Sequence, residues 1–187
     1  RLGPLPSRQI PLICAGPSDA GMAFAAKHCA YNFCSGNGEM NDPRDCVDSV
    51  ARLNASTTLA GTNTRALALT MIIADETDEA AMAKWEHYKA GADHDAVAWS
   101  RAQAGADKHA ADNSTAGRIR RREALPFNGS RLIGSYASVA RMLDEMSDIP
   151  GLAGVMLTFD DFVIGVEQFG QRIQPLMQSR RDLAVAA

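Results

Sequence analysis

Gly16, Pro17, Ser18, Asp19, Ala20 and Gly21 are the residues whose types and spacing best suit a ligand. They follow a short apolar run at residues 10–15 and precede a small-residue segment, so they read as the turn between a strand and a helix. A serine hydroxyl and backbone N–H groups at a helix N-terminus make an anion site, and glycines let a phosphate approach the backbone. Ser18 is the donor in that reading. Asp19 would repel a phosphate at contact distance and is expected to point outward. From spacing alone, Ser18 as a plain N-cap with no ligand is the favoured role.

Other candidates for chemistry are weaker. Asp160 and Asp161 stand together at a strand end, but adjacent strand residues point opposite ways, so at most one faces a site. Capping of the next helix is the favoured role for this pair. His28, His87, His94 and His109 show no metal-ligand spacing, and an exposed helix face suits each. Trp85 and Tyr88 lie three apart on a helix, as in an apolar packing stripe, and Trp99 follows later. Cys14, Cys29, Cys34 and Cys46 form no C-x-x-C pair and read as reduced thiols, so no metal is expected. No Ser-His-Asp or Cys-His arrangement is evident, and the catalytic residues stay unknown. Sequons begin at Asn54, Asn113 and Asn128 and read as chance.

The elements that must position these residues alternate. Strands are expected at residues 10–15, 31–34, 65–74 and 155–159, each followed by a helix: 18–27, 42–59, 75–90 and 162–178. A further helix runs from Ser135 to Met146 and ends at Pro150-Gly151. Residues 92–130 read as a lid-like insertion, helical at first, with a basic cluster at 118–122 that suits a solvated face. Strand–helix alternation predicts a parallel sheet, either doubly wound or part of a barrel. Neither G-x-G-x-x-G nor G-x-x-x-x-G-K-[ST] occurs, which weakens a dinucleotide or nucleoside-triphosphate fold.

Composition sets outer bounds. The 187 residues are 46% hydrophobic and 22% charged, as in a single compact domain. A net charge of -3 supplies no basic field, so nucleic acid and membrane partners are not expected. Apolar runs such as Ala66-Leu67-Ala68-Leu69 are far short of the ~20 residues that span a bilayer. The first residues, RLGPLP, contain no apolar segment and no initiating Met, from which we expect a cytoplasmic protein without a secretion signal that begins inside a longer chain.

Six longer stretches carry a resemblance: ICAGPSDAGMAF at 13–24, IADETD at 73–78, AKWEHYKAGAD at 83–93, GSYASVARMLDE at 134–145, LTFDDF at 157–162 and RIQPLMQ at 172–178, with NFC at 32–34 besides. In these the chain resembles the pyrimidine monooxygenases of the Rut uracil-utilisation pathway, a branch of the luciferase-like flavin monooxygenases. The resemblance implies a TIM-type (β/α)8 barrel of which residues 1–187 form one incomplete domain, the last four β/α units. It also implies FMN held in part by Ser18, with Gly16 and Pro17 in the same loop. The implied reaction takes reduced FMN from a separate NADH-dependent flavin reductase, uses O2, and opens uracil or thymine to a ureidoacrylate-type product. The family pattern is broken at Pro17, where Gln is expected, and across residues 38–65 and 107–130. Pro17 removes one N–H from the loop. Two alternatives stand beside this reading: a related flavin monooxygenase acting on a sulfone, an aminopolycarboxylate or another heterocycle, and a non-catalytic, truncated FMN-phosphate binder. Half a barrel would leave strand edges and an apolar face uncovered, which favours pairing between chains as a homo-oligomer.

Overall fold

The computed structural model describes residues 3, 6–106, 109, 116–117 and 129–183. The order is β1 Ile13–Cys14, α1 Asp19–His28, β2 Tyr31–Cys34, α2 Val47–Ala60, β3 Arg65–Asp75, α3 Asp78–Ala90, α4 His94–Ala106, β4 Ser130–Ser135, α5 Tyr136–Ser147, β5 Leu152–Phe159 and α6 Phe162–Gln168. Every strand pairing is parallel, as strand–helix alternation requires.

The long apolar run at 65–75 makes β3 the spine of the sheet. One edge of β3 pairs with β5 from Ala66 to Ile72. Its other edge is shared: β2 takes Arg65 to Ala68, and β4 takes Thr70 to Asp75. β4 was not expected: the sequence reading ends the insertion at about residue 130 and gives no element to the residues before the Ser135 helix, so the described residues form five strands where four were expected. Its apolar core, Leu132-Ile133-Gly134, is too short to show periodicity. Its strand character comes from the free edge of β3 past the end of β2.

Other boundaries move as well: β1 is Ile13–Cys14 rather than 10–15, α3 begins at Asp78 rather than residue 75, and β5 begins at Leu152 rather than residue 155. α2 begins at Val47 rather than residue 42, because Asp45 is drawn into the preceding loop. The helix expected through residue 178 ends at Gln168 and continues as a π turn, Phe169–Ile173, and a 3-10 turn, Gln174–Leu176, with Pro175 unable to donate a helical hydrogen bond. The basic cluster at 118–122 and the sequons at Asn113 and Asn128 lie outside the described residues.

Alternation along the strands separates two faces. Ala66, Ala68 and Ile72 of β3 point into a core with Val50 and Leu53 of α2 and Val139, Leu143 and Met146 of α5. A smaller cluster joins Ile73, Ile133, Ala81 and Trp85 under α3. The opposite face holds Ile13, Phe33, Leu67, Leu69, Met71 and Met156, aligned through the strand register. Leu69 and Met156, side by side across β3 and β5, remain 39% and 48% exposed. Among the described residues β1 pairs only with β2 and β5 only with β3, so both outer edges of the sheet are open there.

Candidate functional site

In a parallel sheet the ligand side is the carboxyl end of the strands, and the loop after β1 is the best-built feature there. Gly16 and Gly21 bring the two limbs of this turn into backbone contact. A Cβ built on Gly21 would lie 2.7 Å from Gly16 Cα, and one on Gly16 would lie 2.8 Å from Gly21 Cα. Only glycine at both positions permits the approach. Asn32 of β2, fully buried, fixes the loop from below: Gly16 N–H donates to its Oδ1 at 3.3 Å, and its Nδ2 donates to the Gly16 carbonyl at 3.4 Å.

Ser18 is the N-cap of α1, with extended backbone and with its Oγ accepting the Gly21 N–H at 3.2 Å. The hydroxyl proton is still available to donate, since a serine both donates and accepts. The Ala20 N–H belongs to the first turn, which has no intrahelical partners. Gly16, Pro17 and Ser18 therefore lie together in one loop, with the donors of a helix N-terminus beside them. Asp19 points outward as expected: its exposed carboxylate pairs with Arg52 of α2, whose Nη2 also reaches the Pro17 carbonyl at 3.5 Å. Sequence reasoning missed Arg52 and the role of Asn32. Arg52 comes within reach of Asp19 only through α1–α2 packing, and no local spacing announces it.

The other strand ends carry structural polar contacts. At the end of β3, Lys84 bonds the Ala74 carbonyl and the Asp75 carboxylate at 2.9 and 2.8 Å. The Lys84 ammonium, with the Glu76 N–H, holds the Asp75 carboxyl below its ordinary range. Glu76 accepts both its bonds from Arg172 at 2.8 Å, and Arg172 stacks 4.5 Å over the Tyr136 ring. At the end of β5 the two aspartates separate. Asp161 caps α6 by accepting the Val163 and Ile164 N–H groups, while Asp160 accepts the Tyr88 hydroxyl at 2.7 Å. That bond to Asp160, aided by burial, pushes the Tyr88 phenol up to about 12. Tyr88 is thus half-exposed and hydrogen-bonded, in contrast to the packing stripe expected, whereas Trp85 is buried. The four histidines are exposed, and His28 lies against Phe24. Among the described residues no cluster of His, Cys, Asp or Glu is placed to hold a metal ion. All four cysteines are free thiols.

Comparison with known proteins bears on the family and the fold. The family model described as luciferase-like monooxygenase matches residues 1–151. The chain is 54% identical over 183 residues to the pyrimidine monooxygenase RutA of Stutzerimonas stutzeri, covering 98% of this chain and 50% of that protein. It is 52% identical over 181 residues to RutA of Variovorax paradoxus, covering 96% and 49%. The chain thus spans about half the length of the curated relatives it matches. Among solved structures, riboflavin lyase RcaE superposes with a TM-score of 0.73 at 18% identity, over 94% of this chain and 44% of that one. DmoA from Hyphomicrobium sulfonivorans gives 0.65 at 20%, over 94% and 42%. These distant likenesses establish the fold, and the family match over residues 1–151 places the chain in the luciferase-like monooxygenase family.

Proposed function

We propose that this chain is half of a flavin-dependent pyrimidine monooxygenase and that the loop after β1 takes the phosphate of FMN. The observation that carries the activity is identity of 50–54% to pyrimidine monooxygenases across nearly the whole chain. The loop fits the cofactor on its own terms: glycines where a Cβ would collide, a serine hydroxyl able to donate, and the N-terminus of α1. Ser18 and the first turn of α1 would hold the phosphate, Gly16 would admit it, and Pro17 would shape the approach. Arg52 keeps Asp19 neutralised and turned away. Bound reduced FMN would supply the oxygen chemistry, with O2 as cosubstrate and a flavin reductase as the source of reduced cofactor. The protein's part is orientation and exclusion of water.

The substrate class is uracil or thymine, opened to a ureidoacrylate-type product. Among the described residues no helix is long and apolar enough to cross a membrane. The test is turnover of uracil by the whole protein carrying this chain, given enzymatically reduced FMN and air, with ring-opened product followed by mass spectrometry. Consumption of uracil is expected. If uracil is untouched while a sulfone, an aminopolycarboxylate or another heterocycle is oxidised, the substrate assignment fails and the family assignment stands.

A further inference from the structure

Asn32 is a polar residue at a place where an apolar one would pack. It is wholly buried in β2, opposite Cys14 of β1 and Ala66 of β3 in the strand register. Ala66 and Cys34, the next β2 residue on the same face, belong to the core shared with α2 and α5. A carboxamide in such surroundings is costly unless both its ends are hydrogen-bonded. Here both ends go to one residue of the loop after β1: Oδ1 accepts the Gly16 N–H at 3.3 Å, and Nδ2 donates to the Gly16 carbonyl at 3.4 Å. Nδ2 also reaches the Phe33 carbonyl at 3.4 Å.

β1 stops at Cys14, directly across from Asn32, and the chain leaves the sheet there. The Asn32 side chain supplies the next rung in place of a strand, since a carboxamide carries the same N–H and C=O groups as a peptide. Gly16 is thereby fixed two residues past the end of β1. Gly16 in turn lies against the backbone of Gly21, where a Cβ on either would come within 2.8 Å of the other's Cα. Gly21 gives its N–H to Ser18, so the position of Gly16 is passed on to the first turn of α1. A carboxylate at residue 32 would suit this task poorly. Ionised, it has no donor for the Gly16 carbonyl, and it would bury a charge of the same sign as a phosphate.

We propose that Asn32 is the positioning residue of the phosphate loop: by clamping both polar groups of Gly16 it aims the Ser18 hydroxyl and the first turn of α1 at the phosphate of FMN. This rests on the reading that the loop takes that phosphate. The test uses the whole protein carrying this chain, with Asn32→Leu and Asn32→Asp compared with wild type. Flavin fluorescence quenching measures the affinity for FMN and for riboflavin, which is FMN without its phosphate, at about pH 5 and about pH 8, either side of the range expected for a buried carboxyl.

Wild type should prefer FMN to riboflavin by about tenfold or more. In Asn32→Leu that preference should fall about tenfold, with riboflavin affinity within about twofold of wild type, because only the phosphate end is disturbed. Asn32→Asp, nearly the same shape, decides the matter if Asn32→Leu does not fold. Protonated at the lower pH, its carboxyl still accepts the Gly16 N–H and donates to the Gly16 carbonyl, so FMN affinity should stay within about threefold of wild type. Ionised at the higher pH, it should bind FMN about tenfold worse than wild type does at that pH. Cys14, Cys34, Asp19 and Arg52, the titratable side chains that touch this clamp or its loop, are present in both proteins, so the ratio of variant to wild type isolates residue 32. An undiminished preference for FMN in Asn32→Leu, or a ratio in Asn32→Asp that does not change with pH, overturns the positioning role. Equal binding of FMN and riboflavin by wild type overturns the phosphate reading itself, and the role of Asn32 with it.

Discussion

Ser18 performs two tasks in the proposed site, and they can be separated. As N-cap it accepts the Gly21 N–H, and as ligand it would donate to a phosphate. Ser18→Ala loses both and should weaken FMN binding by about 1 to 2 kcal/mol, the scale of a charge-assisted hydrogen bond. Ser18→Asp keeps a good cap but sets a carboxylate against the phosphate. It should bind FMN worse than Ser18→Ala while matching wild type in thermal midpoint. Fluorescence quenching and a melting curve on the same samples decide it, and equal FMN affinity in all three proteins would remove Ser18 from the site. At the end of β3, Asp75 carries a pH signature. Its carboxyl is held low by Lys84, so the folded state prefers the ionised form. The stabilisation is complete above about pH 4, the ordinary carboxylate range, and is lost as pH falls through the lower folded value. Asp75→Asn should cost about 0.5 to 1 kcal/mol near neutrality, given the partial exposure of the pair, and nothing in strong acid. Denaturant midpoints across pH would show the two curves converging on the acid side.

At the scale of elements, the turn from β1 to α1 depends on backbone contact. Gly21→Ala would place a Cβ 2.7 Å from Gly16 Cα, against backbone that has no flexible end to move. We expect a loss of about 2 to 4 kcal/mol, well beyond the ordinary effect of alanine in a helix, with FMN binding lost alongside. A melting curve near that of wild type would mean that the turn can relax. The Ser18 cap, the outward Asp19 and the long β3 were legible because they rest on local chemistry: a polar cap before a helix, like-charge repulsion, a continuous apolar run. β4 was not legible, because its pairing partner is sixty residues away in sequence. The late start of α2 and the knot around Asp45 escaped notice for the same reason. Asp45 lies eight residues from Asn37 and 85 from Ser130, and nothing in the intervening residues marks those contacts. Asn32 could have been suspected, since a polar residue inside a buried strand needs a partner.

Among the described residues, α2 and α5 cover one face of the sheet, α3 covers the Met71–Ile73 end of the other, and the rest of that second face holds bare apolar residues. Leu69, Met156 and Ile13 face outward at 39%, 48% and 55% exposure. Together with the open edges of β1 and β5, this surface suits coverage by further β/α units. The 187-residue chain expressed alone should therefore self-associate, and Leu69→Lys with Met156→Lys should shift it toward monomer in sedimentation velocity. A wild-type monomer at micromolar concentration would show that the exposed face is tolerated.

The shared edge of β3 also has a consequence for synthesis. Thr70 waits for Ser130, 60 residues later, and for Thr158, 88 residues later, before its contacts on both edges are made. At about 5 to 20 residues per second, a ribosome takes several seconds to deliver them. Throughout that interval the stretch from Ala66 to Ala74 is a nascent apolar strand with only a four-residue partner, β2, beside it. Translation speed and chaperone access during that window, more than the stability of the finished fold, should govern how much of this chain reaches a usable state.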